Sequence, residues 1–390
     1  MLEKPKLKKQ PKKKRSKNMF GGILGKKFFR KFSKQRRHIF AALFVIVLGL
    51  LIWSGFLWWR LFIAEPKYAT ESASGGETAV ENASTSTLAQ RSIDGVMMPV
   101  EQATSSLFAV MIDNFLESRP PANLSQASLV WEAPVEAGLT RLLTVYPMST
   151  QLSRIGPIRS ARPYFLDWAK ELNALYLHVG GSDQALADIK SKDIFDLNEF
   201  YRGWYFWRDR ARARPYNVYT SSELVNAAFI KEGASQDFAP KDLAGWIYRP
   251  ENSEAKIYGR FGKGLFIDFG PMKVEWKYNW EKKVYEKYED DVLQKDESGA
   301  VIAAKNVALQ ITSIEILDEV GRRQIKTIGS GKAVVLTYGL AIDGMWQKKD
   351  ADSRTRFFGP DTKEVVFDPG TTWIEVIGNT YSYEITAGSQ

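Results

Sequence analysis

Residues 39–59 (IFAALFVIVLGLLIWSGFLWW) are 21 consecutive positions without a charged side chain. A helix of that length rises about 30 Å, the thickness of a bilayer's hydrocarbon core. Trp53, Trp58 and Trp59 cluster toward its end, where amphipathic rings favour the headgroup level, and Arg60 closes the run. The segment predicts a single transmembrane helix, and the flanking charges predict its direction. Residues 1–37 hold 16 Lys/Arg and a single acid, Glu3, whereas residues 38–390 hold 38 Lys/Arg against 44 Asp/Glu, so the net charge of +9 belongs to the tail. By the positive-inside rule residues 1–38 are predicted to be a basic cytoplasmic tail, with the bulk of the chain outside the membrane. A signal peptide would have a shorter apolar core and a small-residue cleavage site. A buried core helix would carry a polar face.

The predicted compartment restricts the partners. The juxtamembrane Lys/Arg run attracts anionic membrane lipid, and nucleic acid is not an expected partner on the outer side. The chain has no cysteine and two histidines, His38 and His178. Disulfide scaffolds, thiolate zinc sites, cysteine nucleophiles and lipid attachment through a cysteine are thereby excluded, and so is a multi-histidine metal site. No metal site is expected, and the residues name no cofactor.

Residues 60–104 are dominated by Ser, Thr, Ala, Gly and Glu, which reads as a flexible stalk. Residues 105–390 are enough for two domains. Over 105–250 short apolar runs at 107–112, 129–132, 141–146 and 174–179 alternate with helical patterns at 160–172, 182–190 and 221–231. That alternation predicts an α/β domain. In the first of these helices Phe165, Trp168 and Leu172 share a face, Ser160 is the expected N-cap and Pro163 fits the opening turn. Over 255–385 strand-like runs separated by Gly, Asp and Asn turns predict a mostly-β second domain, sandwich- or barrel-like.

The stretch 153–167 (SRIGPIRSARPYFLD) carries the most chemistry. Arg154, Arg159 and Arg162 bracket Gly156-Pro157, and the last two fall at a helix start, whose own dipole repels cations and attracts an anion. Their placement there makes sense if a phosphate or carboxylate occupies the site, held by guanidinium forks. Arg119 and Arg141 stand at neighbouring loop-to-strand positions and, with Glu132 and Glu136, complete the candidate ligand-binding set. Glu132, Glu136, Asp113 and Asp167 could instead close the arginines into a structural ion network, and the two readings stay open at this level. His178 precedes Gly180-Gly181 and has the intrinsic pKa of a general base; with Asp113 and Asp167 it is a candidate catalytic residue. A second basic stretch, 201–215 (YRGWYFWRDRARARP), interleaves arginines with aromatics. Outside the membrane that mixture suits an anionic wall polymer or glycan, with rings stacking on sugars.

Several of these segments resemble a known family. VMIDN (110–114), RPPANLSQASLVWEAPVEAGLTR (119–141), IGPIRSARPYFLD (155–167) and LHVGGSD (177–183) resemble the YerB-like bacterial lipoproteins, a domain family of unknown function. WKYN (276–279), NVALQ (306–310), GSGKA (329–333), MWQK (345–348) and DPGTTWIEV (368–376) resemble its C-terminal module. The resemblance implies an N-terminal and a C-terminal module and an envelope location; it supplies no reaction. This chain departs from the family in lacking the lipid-bearing cysteine and in reading Arg214-Pro215-Tyr216-Asn217 where the family has a histidine. The layout of tail, anchor, stalk and arginine-lined domain is also similar to that of LytR-CpsA-Psr phosphotransferases.

The expectation is a membrane-anchored protein that binds an anionic cell-wall polymer or lipid-linked precursor through the arginine cluster. Two alternatives remain: a phosphotransferase acting on a lipid-linked glycan, with Asp113 or Asp167 placing a metal, and a scaffold that docks an envelope protein.

Overall fold

Seven consecutive residues of the strand Leu107–Asp113 (β1) are buried, and so is every residue of Leu129–Pro134 (β2) and Thr140–Pro147 (β3). A strand turns successive side chains to opposite faces, so complete burial requires cover on both. The computed structural model describes residues 47–49, 51, 53, 54, 88–233, 245–250 and 258–387. In it Phe108, Val110 and Ile112 of β1 enter one core, while Ala109 and Met111 enter a second core behind the sheet.

After β3 come the helix Pro163–Lys170 (α1), the strand Leu175–His178 (β4), the helix Asp183–Ser191 (α2), the strand Asp196–Asn198 (β5) and the helix Ser222–Glu232 (α3). The strands Gly264–Asp268 (β6), Lys273–Asn279 (β7), Val284–Glu289 (β8), Asn306–Thr312 (β9), Gly329–Thr337 (β10), Leu340–Lys348 (β11), Thr372–Gly378 (β12) and Ser382–Thr386 (β13) complete the order, with shorter pieces between them. The described residues are thus mostly β with some helices.

One 11-stranded sheet runs in the order β11-β10-β9-β12-β2-β3-β1-β4-β5, with Arg260–Phe261 and Arg356–Phe358 both paired to β11. Its middle seam is parallel: β12 lies on β2, with Trp373 opposite Val130, Ile374 opposite Trp131 and Glu375 opposite Glu132. The two sequence stretches therefore share a sheet. A second sheet, β8-β7-β6-β13, packs Leu265, Ile267, Val274 and Trp276 against Val307, Leu309 and Trp373 of the first. Helix α1 covers the other face, where Trp168 stacks on Trp131 with ring centroids 5.9 Å apart and planes 7° from parallel. Burying side chains of this size contributes on the order of 3 kcal/mol each.

Three differences from the sequence-based expectation have physical causes, and the predicted membrane span is untested among the described residues. The expected stalk does not reach Thr104: Leu88–Gln90 and Met97–Pro99 pair as a hairpin, and Ile93 and Asp94 are buried. Tyr248 donates to the Ile93 carbonyl (2.6 Å) and Ser128 to the Asp94 carboxylate (2.6 Å), so a few specific bonds hold a segment of low hydropathy. The N-cap of α1 is Arg162, not Ser160, and no side chain caps it. Residues 159–161 instead run extended beside 179–182, with Val179 donating to the Arg159 carbonyl (3.0 Å) and Ala161 to the Gly180 carbonyl (3.0 Å). Strands β11 (LAIDGMWQK) and β13 (SYEIT) carry no clear apolar run, and sheet pairing rather than local pattern sets them. Finally, no helix among the described residues is long and apolar enough to cross a membrane. The predicted span 39–59 lies largely outside those residues, and its described positions, 47–49, 51, 53 and 54, are helical. The tail 1–38 and the expected joint at 251–254 lie outside them as well.

Candidate anion site at the start of helix α1

Three of the five arginines meet where β3 and α1 both begin. Arg141 is buried; its Nη1 donates to the Ser160 carbonyl (2.8 Å) and its Nε has no hydrogen-bond partner. Burial lowers its pKa to about 10, and repulsion from Arg162 and Arg159 adds to the fall while Asp113 opposes it. The group therefore stays cationic at neutral pH. Arg159 Nε lies 2.6 Å from Asp113 Oδ2. Arg162 grips Glu136 with two parallel bonds, Nε to Oε1 (2.6 Å) and Nη2 to Oε2 (3.0 Å). Burial alone would raise the Glu136 pKa, but the bonds and charge of Arg162 outweigh it and hold the carboxyl below its usual range. Three guanidiniums thus face two carboxylates beside an uncapped helix start, which itself carries about half a positive charge.

Arg119 and Arg154 belong elsewhere. Arg119 pairs with Glu289 and donates to the Asn114 carbonyl (2.7 Å). Arg154 lies over the Tyr219 ring, 3.7 Å from its centroid, and bridges Asp209 (2.5 Å) and Glu297 (3.0 Å). Glu132 also leaves the cluster: fully buried, it accepts from Thr140 (2.6 Å) and Asn114 (3.0 Å) and pairs with Lys287 (2.8 Å). Asp167 is held by Lys192 (2.7 Å) and Thr327 (2.6 Å). His178 is wholly buried, with Nδ1 2.6 Å from the Gly180 carbonyl and Nε2 2.8 Å from Asp196. Both of its nitrogens are engaged by the protein, and the ring fixes the glycine turn. A cavity of about 500 Å³ borders α1, lined in part by Pro163, Tyr164, Asp167 and Arg323, and none of the three clustered arginines lines it.

The sequence reading missed a charged cluster across the β2–β12 seam. Lys287, buried, pairs with Glu132 and Glu289, and Glu375 accepts from the Trp276 indole (2.8 Å). Burial and the charge of Glu132 push the Glu375 pKa well up, against the pull of Lys287. Its signal in the sequence is a glutamate inside an otherwise apolar strand, WIEV, matched by another in VWEA.

Two profiles of a single family match this chain in tandem: "Protein of unknown function (DUF3048) N-terminal domain" over residues 95–235 and its "C-terminal domain" over 265–374. The class defined by fold and site is therefore a pair of modules built on one sheet, with an arginine cluster in the first. The chain belongs to the YerB-like family, whose function is unknown. YerB of Bacillus subtilis (strain 168), named as a candidate lipoprotein, is 28% identical over 284 residues, 72% of this chain and 83% of the relative. A crystal structure of YerB from Bacillus subtilis matches with a TM-score of 0.67 at 25% identity, covering 76% of this chain and 99% of that one.

Proposed function

We propose that this protein is a membrane-anchored extracytoplasmic binding module that captures an anionic envelope ligand, phosphate- or carboxylate-bearing, at the start of α1. The observation that carries the reading is Arg141: a buried guanidinium repelled by Arg159 and Arg162, with its Nε unpaired. Asp113 and Glu136 offset two of the three positive charges, and an added anion would offset the third. In this reading 105–250 is the α/β module that bears the site, 255–385 is the β-rich module, and 39–59 is the anchor. The helical positions within 39–59 and the name of the Bacillus subtilis relative support attachment to an envelope membrane.

Binding is favoured over phosphotransfer by the engagement of the acids that would place a metal. Asp113 is taken by Arg159 and Asp167 by Lys192. Among the described residues, no group of three or more His, Cys, Asp or Glu side chains is arranged to hold a metal ion. Calorimetric titration of the full-length protein in neutral detergent with inorganic pyrophosphate tests the reading. Arg159→Ala combined with Arg162→Ala is expected to weaken binding at least about tenfold; unchanged binding would sink the site.

A further inference from the structure

Phe200, Tyr201 and Trp204 are 65%, 70% and 60% exposed, three large rings within five residues. Rings of this size seldom gather in water without a partner. Their turn is not loose. The Asn198 side chain accepts from the Gly180 amide (2.9 Å) and the Phe200 amide (3.2 Å), and its carbonyl accepts from Tyr201 (3.0 Å) and Arg202 (2.9 Å). Tyr205 and Phe206, directly after the exposed rings, are buried and root the turn in the fold. Rings preset in this way lose little freedom on binding.

The turn also adjoins the arginine segment. Gly180 lies beneath Phe200, where a Cβ would fall 2.7 Å from the ring, and its carbonyl accepts from Ala161 (3.0 Å). The same turn's Val179 donates to the Arg159 carbonyl. Aromatic turn and arginines therefore flank a single glycine turn. Two of the nearby acids are paired with arginines, Glu199 with Arg208 (3.0 Å) and Glu232 with Arg202 (3.2 Å).

We propose that Phe200, Tyr201 and Trp204 stack against the sugar rings of an acidic polysaccharide whose charged groups lie toward Arg159 and Arg162. The proposal rests on the anion-site reading and adds the chemistry of the ligand's backbone. A sugar offers an apolar C–H face to a ring and polar edges to its rim, which suits Tyr and Trp. Exposed Phe, Tyr and Trp also suit a membrane interface, and the vesicle arm of the test separates that outcome from a glycan.

The test titrates full-length protein in neutral detergent with polygalacturonate, which has sugar and charge, polyphosphate, which has charge alone, and neutral dextran. The wild type is expected to prefer polygalacturonate. Tyr201→Ala with Trp204→Ala, both surface changes, is expected to weaken polygalacturonate about tenfold while polyphosphate stays within about twofold. Arg159→Ala with Arg162→Ala weakens both. Wild-type protein that ignores polygalacturonate, or ring variants that bind it normally, overturns the platform. Ring variants that instead lose only binding to phosphatidylglycerol vesicles overturn it in favour of a lipid surface. Arginine variants that leave both polymers unchanged overturn the anion site itself, a different failure.

Discussion

Glu375 of β12 lies directly opposite Glu132 of β2 on the parallel seam that joins the two sequence stretches, and both are fully buried. Two carboxylates so placed cannot both be charged at low cost. Glu132 is paired with the buried Lys287, and Glu375 is the member driven toward its neutral form.

The seam yields a contrast between two substitutions. Lys287→Met leaves Glu132 and Glu289 buried without their lysine and is expected to cost about 3–5 kcal/mol. Glu375→Gln keeps the shape of a group whose pKa is pushed up by burial and by Glu132, and keeps an acceptor for the Trp276 indole, so it is expected to cost far less than Lys287→Met. Urea unfolding of both variants checks this, and equal losses would refute the assignment of charge.

The same seam gives stability a pH dependence of two signs. The Glu375 pKa is raised above its ordinary 4.5, so its contribution is complete below that value and is lost as pH rises through the folded pKa. For Glu289 burial alone would raise the pKa, but Lys287 and Arg119 outweigh it and the net shift is downward from 4.5. Its contribution is present above 4.5 and is lost as pH falls. Urea midpoints measured against pH are expected to decline on both limbs, and Glu375→Gln is expected to flatten only the alkaline one. An alkaline limb unaffected by Glu375→Gln would contradict the reading.

A third prediction concerns the β10–β11 hairpin. Its two-residue turn is Tyr338-Gly339, with φ of +55° and +76°, between the paired residues Thr337 and Leu340. Both central positions take the left-handed conformation of a primed turn. A Cβ on Gly339 would also come within 3.0 Å of the Tyr278 and Trp280 rings. Gly339→Ala is expected to destabilise by about 1–3 kcal/mol, read from the unfolding midpoint.

This hairpin also shows where sequence reading reached its limit. Strands β1 to β4 were legible because cover on both faces leaves continuous apolar runs. Strand β11 (LAIDGMWQK) was not, because Asp343, Gly344 and Lys348 break its run and Tyr-Gly is a weak turn signal beside Asn-Gly. The candidate site divides in the same way. Arg159 and Arg162 were legible from the helix start they flank, and Arg141 joins them. Arg119 and Arg154 stood close in sequence to the others, yet their acids, Glu289, Asp209 and Glu297, come from distant segments that local pattern does not connect. Glu132 was visible as a charge in an apolar strand, but its partner Lys287 sits in VYEKYE, which reads as an ordinary half-exposed strand.

The most direct measurement follows the arginine Nε–H resonances of full-length protein labelled with ¹⁵N-arginine while inorganic pyrophosphate is added. The anion-site account predicts that Arg141, Arg159 and Arg162 shift together and saturate at one concentration, while Arg119 and Arg154 stay in place. Shifts confined to Arg119 or Arg154, or none at saturating pyrophosphate, would contradict it.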